Sequence, residues 1–236
     1  MLQATPFTVA EHSCHVQLLQ PRAGNAHAVF QTVEDQAFKL HYQRRPQDPR
    51  IQHSINLVID DQGNVLEKAE IVYGRDPVAS ASAADDLLDS ASDFTGVDDE
   101  VQVRQALADA LTRTDATQTR DWVKVVRSRF TDDIDRPDCW RTRLPADVET
   151  FDIGGLAPAG TLFTSAELTG ILTDAASQLI AFADPPPAGI SRRLIERQQT
   201  VYYDEALAGP LALQSLASHG LSFQGRTLAY ADNLLS

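Results

Sequence analysis

A chain of 236 residues with 43% hydrophobic and 22% charged residues has enough apolar material for one large or two small soluble domains. Its 33 acidic residues against 20 basic ones leave a formal net charge of −13, which argues against nucleic acid or an anionic membrane surface as a partner. Two cysteines, Cys14 and Cys139, are too few for a disulfide scaffold. No apolar run reaches the roughly 18 residues a membrane-spanning helix needs, and residues 1–9 show neither a basic start nor a long apolar core of the signal-peptide kind.

In chain order, residues 1–37 read as short strands and turns. His15, Gln17 and Leu19 alternate with Val16 and Leu18, residues 21–25 form a turn cluster, and residues 28–33 suit a second strand. The clearest stretch is 38–73. Phe38, Leu40 and Tyr42 alternate with Lys39 and His41, the period of two expected of a half-buried strand. After a polar, proline-containing break, Ile55, Leu57 and Ile59 alternate again. Asp60-Asp61-Gln62-Gly63-Asn64 must then reverse the chain, with Gly63 free to take positive φ, and residues 65–73 return as the second arm of a hairpin.

Composition changes after Tyr73. Residues 76–119 are rich in Ala, Ser and Asp and read as a partly helical insertion. A helix is expected over 98–112, with Asp98, Asp99 and Glu100 in its first turn, and a weaker helix or loop over 80–94. Strand patterns resume at 122–127, 148–153 and 192–203. Between the last two, Thr164 with Glu167 makes a capping box ahead of Leu168, Ile171, Leu172 and Ala175, so a helix is expected over 165–177. Three segments result: 1–75, 76–119 and 120–236. The fold class is mainly β, antiparallel, with two or three inserted helices.

Chemistry is sparse. Glu11-His12-Ser13-Cys14-His15 has ligand types, but on a strand His12 and Cys14 lie opposite His15, short of the three or four ligands a zinc site needs. Asp60, Asp61 and Asn64 around Gly63 lack the spacing of a calcium loop. Asp132, Asp133, Asp135 and Asp138 form an acidic loop, expected to be solvated. Arg44, Arg45 and Arg50 could hold an anion or pair with nearby acids. No nucleophile-elbow, phosphate-loop or metalloprotease motif is present. Catalytic, cofactor-binding and metal residues are therefore all assigned as none, and no cofactor is expected. Trp122 and Trp140 are expected in the core; an exposed aromatic patch at either would favour a binding module, and facing carboxylates of perturbed pKa would favour a hydrolase.

The segment 42–54, Tyr-Gln-Arg-Arg-Pro-Gln-Asp-Pro-Arg-Ile-Gln-His-Ser, followed by residues 60–66, resembles the middle region of the B component of bacterial Tc insecticidal toxin complexes, the TcdB/TcaC, SpvB-related family. Supporting segments occur in the same order at 19–30, 129–132, 144–156, 163–168 and 192–203. The resemblance implies a shell of antiparallel hairpins of Rhs/YD type that encloses a toxic cargo, and a structural, non-enzymatic part in its wall. The implied partners are the pore-forming A component, the C component that carries the cargo, and the remainder of a B component split between chains. It also implies secretion without a standard signal peptide, after a cytoplasmic stage. Full B components are several times longer, so the chain reads as a fragment, a split-gene product or a degenerate relative.

Overall fold

The computed structural model describes residues 6–42, 48–75, 105–106, 109–110 and 118–228. Eleven strands and one short helix are assigned among them: β1 (Thr8–Gln20), β2 (Val29–His41), β3 (Arg50–Ile59), β4 (Val65–Val72), β5 (Trp122–Phe130), β6 (Ile134–Arg136), β7 (Cys139–Arg141), β8 (Pro145–Gly154), α1 (Ser165–Leu168), β9 (Gln178–Ile180), β10 (Ser191–Tyr202) and β11 (Ser222–Thr227). Nine strands form one sheet in the order β1-β2-β3-β4-β5-β8-β10-β11, with β9 parallel beside β10. The pairs β5–β8, β8–β10 and β10–β11 are antiparallel, and β6–β7 is a separate antiparallel ribbon. The mainly β, antiparallel architecture expected from the alternating pattern is present.

The chain divides into two compact units, and the division falls within β1 to β5. The first comprises Met1–His12, Ala37–His53 and Ile71–Trp122. Its buried centre is an aromatic stack: the Phe38 and His53 rings lie 3.9 Å apart between centroids, and those of His53 and Tyr73 6.1 Å apart. Tyr73 N donates to Ile51 O at 3.0 Å, which places the two aromatic strand ends in register. Gly74 N donates to Asp121 Oδ1 at 2.7 Å and Arg75 N to Gln118 O at 2.7 Å, tying the end of β4 to the start of β5. The Arg120 guanidinium sits 5.1 Å from the centroid of the Trp122 ring.

The second unit holds Ser13–Gln36, Ser54–Glu70 and Val123–Ser236. Its buried apolar residues include Ile55, Ala69, Val123, Val125, Phe151 and Ile153 from strands and Phe163, Leu168, Ile171 and Leu172 from the connection after β8. Val123 pairs with Ile153 and Val125 with Phe151, so these four share one face of the sheet. Arg127 Nη2 reaches the carbonyl of Leu172 at 3.3 Å, which lays the 163–172 segment over that face.

The β3–β4 turn forms as the sequence requires. Asp60 N donates to Asn64 O, and Gly63 N to Asp60 O, while Gly63 adopts φ +87°. A Cβ at Gly63 would meet only the flexible amide end of Gln31, so the backbone angle is what restricts the position.

The helix expected over 165–177 is corrected by the structure: α1 has four residues. Leu168, Ile171 and Leu172 are buried as the stripe suggested, but Gly170 at φ +78° ends the helix and the rest proceeds as turns. The capping box itself is formed. Thr164 N and Oγ1 donate to Glu167 Oε2 at 2.6 and 2.7 Å, and Glu167 N donates to Thr164 Oγ1 at 3.4 Å. Thr164→Ala is expected to lower Tm by about 2 °C, a shift a calorimetric scan resolves.

The outcome for further elements differs from one to the next. β1 and β2 run for 13 residues each, longer than the short strands expected. β11 lies in a tail with no alternating pattern. Of the helix expected over 98–112, the described residues 105, 106, 109 and 110 are helical, and Gln105 Nε2 donates to Asp109 Oδ1 one turn on, at 2.9 Å; the rest of it, and the stretch 80–94, lie outside the described residues.

Candidate functional site

The candidates singled out in the sequence do not gather into one place. His15 Nδ1 is hydrogen-bonded to Asp35 Oδ1 across β1 and β2, and Cys14 is exposed and unpaired with Cys139. Among the described residues no group of three His, Cys, Asp or Glu side chains could hold a metal ion. Arg44 and Arg45 lie outside the described residues, and Arg50 is exposed at the start of β3.

The Asp60 turn resolves into a turn. Asp60 Oδ1 accepts from Gln62 N at 2.9 Å and Asn64 N at 2.8 Å, and Oδ2 from Asn64 Nδ2 at 3.0 Å and Arg143 Nη1 at 3.1 Å. Burial pushes this carboxyl up, but the bonds from Asn64 and Gln62 and the charge of Arg143 prevail and hold it below the usual carboxylate value. Where a calcium loop would place a cation, the protein supplies its own. Arg143 also fixes Asp133 of the acidic loop, Nη2 to Oδ2 at 2.7 Å. That bond, foremost, brings Asp133 down to about 2.

Both tryptophans depart from the core expectation. Trp122 is 44% exposed and Trp140 74% exposed. Trp122 opens β5 and Trp140 lies on β7, and Trp122 carries Arg120 over its ring.

The most organised polar group was not foreseen. Asp147 and Glu149 alternate on β8 and face the same side of the sheet as Arg127 and Arg129 of β5 and Arg197 of β10, their cross-strand neighbours. Arg129 donates to Asp147 Oδ2 at 2.7 Å and to Glu149 Oε2 at 2.8 Å. Arg197 grips Asp147 with both Nε at 3.0 Å and Nη2 at 2.8 Å, and its Nη1 stands 3.6 Å from Glu149. Beside this group Arg127 Nε donates to Glu67 Oε1 on β4 at 3.2 Å. Three guanidiniums thus balance three carboxylates across β4, β5, β8 and β10. Burial raises the Asp147 carboxyl, but the hydrogen bonds and charges of Arg197 and Arg129 overcome that and hold it below its usual range. A carboxylate held that way is a poor proton donor at neutral pH. The group is built to cross-link strands.

The edges of the sheet complete the surface. β1 and β11 stand at opposite ends of the strand order. All of β1 is exposed except half-buried Val9, and every residue of β11 is exposed. Val16, Leu18 and Leu19 on β1 and Phe223 on β11 are among the exposed large apolar side chains. Neither strand contains proline or lysine, and each carries a single full charge, Glu11 and Arg226 respectively. Among the described residues, neither edge strand thus carries the proline or lysine that often guards a free sheet edge.

A long antiparallel sheet, cross-linked by charge, defines the class: a mainly β protein of antiparallel strands. The chain belongs to the family of the insecticide toxin TcdB middle/C-terminal region, whose model matches residues 1–127. No curated protein matches it. Among solved structures it is similar to the crystal structures of TcdB2-TccC3-Cdc42, at 18% identity with a TM-score of 0.63, and of TcdB2-TccC3, at 20% identity with the same TM-score. Each comparison covers 98% of this chain, but only 9% and 10%, respectively, of the other. The TcdB2-TccC3 structure without its hypervariable C-terminal region is similar over 94% of this chain, with a TM-score of 0.60. The chain thus spans about a tenth of the length of the structures it matches, and the likeness extends past the family match into residues 128–236.

Proposed function

We propose that this chain is a non-catalytic wall segment of a toxin-complex shell, joined through β1 and β11 to further strands and serving to enclose a cargo carried by a C-type component. The observation that carries this reading is the pair of exposed strands, both without proline or lysine, at the two ends of one sheet. A row of unpaired N–H and C=O groups is a template for another strand, and a wall is made by adding strands until no edge remains. The balanced ionic group on β4, β5, β8 and β10 supports the same role by locking strand register without offering a reactive group.

The test is co-assembly of the full chain with the remaining B-type sequence and a C-type component, read as protection of the cargo from protease. Gly225→Pro and Thr227→Pro on β11, whose amides face away from β10 by the alternation set where Leu228 N donates to Arg197 O, remove one edge donor each. Both variants are expected to keep the circular dichroism of the parent while losing assembly and cargo protection. Assembly and protection unchanged in both folded variants would overturn the proposal. A second reading, a binding module, is favoured by one observation: the exposure of Trp140.

A further inference from the structure

We infer that the outward face of the β6–β7 ribbon, formed by Trp140 and Asp135, receives an arginine side chain presented by a partner polypeptide. In the ribbon's register Asp135 pairs directly with Trp140, so their side chains project from the same face. Ile134, Arg136, Cys139 and Arg141 take the other face by the same alternation. That second face is the anchored one: Arg141 Nε donates to Ser218 O at 2.8 Å, and its guanidinium covers Gly220. Just beyond the ribbon Arg143 is bound to Asp133 and Asp60. The indole is therefore held out on a fixed base, with 74% of Trp140 exposed. Among the described residues no cation lies over the Trp140 ring and no hydrogen bond or ion pair engages the Asp135 carboxylate. Arg136 is placed on the opposite face, 3.7 Å from Asp138.

The chain shows what such a ring binds. Its other tryptophan, Trp122, is capped by the guanidinium of Arg120, a cation held over an aromatic face. At Trp140 the ring is bare, and a carboxylate stands beside it in place of the cation. Indole and carboxylate together fit a planar cation that stacks on one and donates to the other. The net charge of −13 favours approach of a basic segment.

The test is NMR of the full chain, following the two indole N–H signals during titration with the peptide Gly-Arg-Gly-Arg-Gly at low salt. The Trp140 signal is expected to shift and saturate while the Trp122 signal stays fixed. Asp135→Asn is expected to raise Kd about threefold or more, and the remote Asp184→Asn to leave it unchanged. Equal weakening by Asp135→Asn and Asp184→Asn would show general attraction to an acidic protein and overturn the inference. So would an unmoved Trp140 signal, or one that responds to a neutral oligosaccharide and not to the peptide.

Discussion

Asp147→Ala is expected to destabilise the chain by about 3 kcal/mol, read as a lower urea midpoint at unchanged slope. The side chain is 1% exposed and takes three hydrogen bonds from two arginines. Removing it leaves Arg129 and Arg197 facing each other with Glu149 as their one remaining carboxylate. Loss of one partner from a buried pair is severe because the other charge stays desolvated. Here the two guanidiniums are 37% and 35% exposed, so water recovers part of the loss, which places the value at the low end of the range. Lys124→Ala is the comparison. Its partner Glu70 and Lys124 itself are 41% and 47% exposed, and pairs of that kind are worth under about 1 kcal/mol. A drop for Asp147→Ala no larger than for Lys124→Ala would show that the charge lattice does not hold the sheet together.

What the sequence made legible follows from how each element meets water. The β3–β4 hairpin was readable because one side of each strand is buried: Ile55 and Ile71 are each at most 2% exposed, so alternation had to be written into both arms. In β8, Phe151 and Ile153 are buried on one face in the same way. β11 was not readable, since Ser222–Thr227 is exposed on both faces and burial imposes no period on it. β1 was read only in part, at 15–19, since all of it but half-buried Val9 is exposed and burial imposes no period along it. The 165–177 helix failed through an ambiguity of pattern: a coil covering a sheet buries Leu168, Ile171 and Leu172 just as a helix would, and one glycine at positive φ decides between them. The ionic group left a faint trace, charges spaced by two at 127 and 129 and at 147 and 149, but such spacing also describes a solvated strand face. Only the register that sets Arg129 against Asp147 and Arg197 against Glu149 separates the two.

The tryptophans failed for a related reason. Large aromatic side chains are buried in a protein complete in itself. Under the proposed wall role, part of the surface serves contacts with other polypeptides, and the burial rule does not apply there. Trp140, Leu18 and Leu19 on β1, and Phe223 on β11 are exposed in keeping with that role.

Stability of the first unit is expected to fall as pH drops from 6.5 toward 4, before carboxylate protonation contributes much. His53 is 2% exposed, stacked on Phe38, and shares a 2.9 Å hydrogen bond with Tyr73 Oη. Burial lowers its pKa from 6.5 to about 4. The folded state therefore resists a proton that the unfolded chain accepts. The contribution is fully present above the unfolded value, diminishes as pH falls below 6.5, and is gone below about 4, where both states are protonated. Over that window the loss amounts to about 3 kcal/mol. The depressed carboxylates act lower: Asp60 and Asp147 release their stabilisation only as pH falls below 3.8. The two processes are separable by His53→Phe. That variant keeps a ring on Phe38 but cannot bond Tyr73, so at pH 7 it is expected to be less stable by about 1 kcal/mol. At pH 4.5 it no longer pays for desolvating a charge and is expected to be the more stable protein. Urea unfolding of both proteins at the two pH values gives the answer, because the stability curves must cross. Parallel curves would mean that His53 does not govern the acid response of this unit.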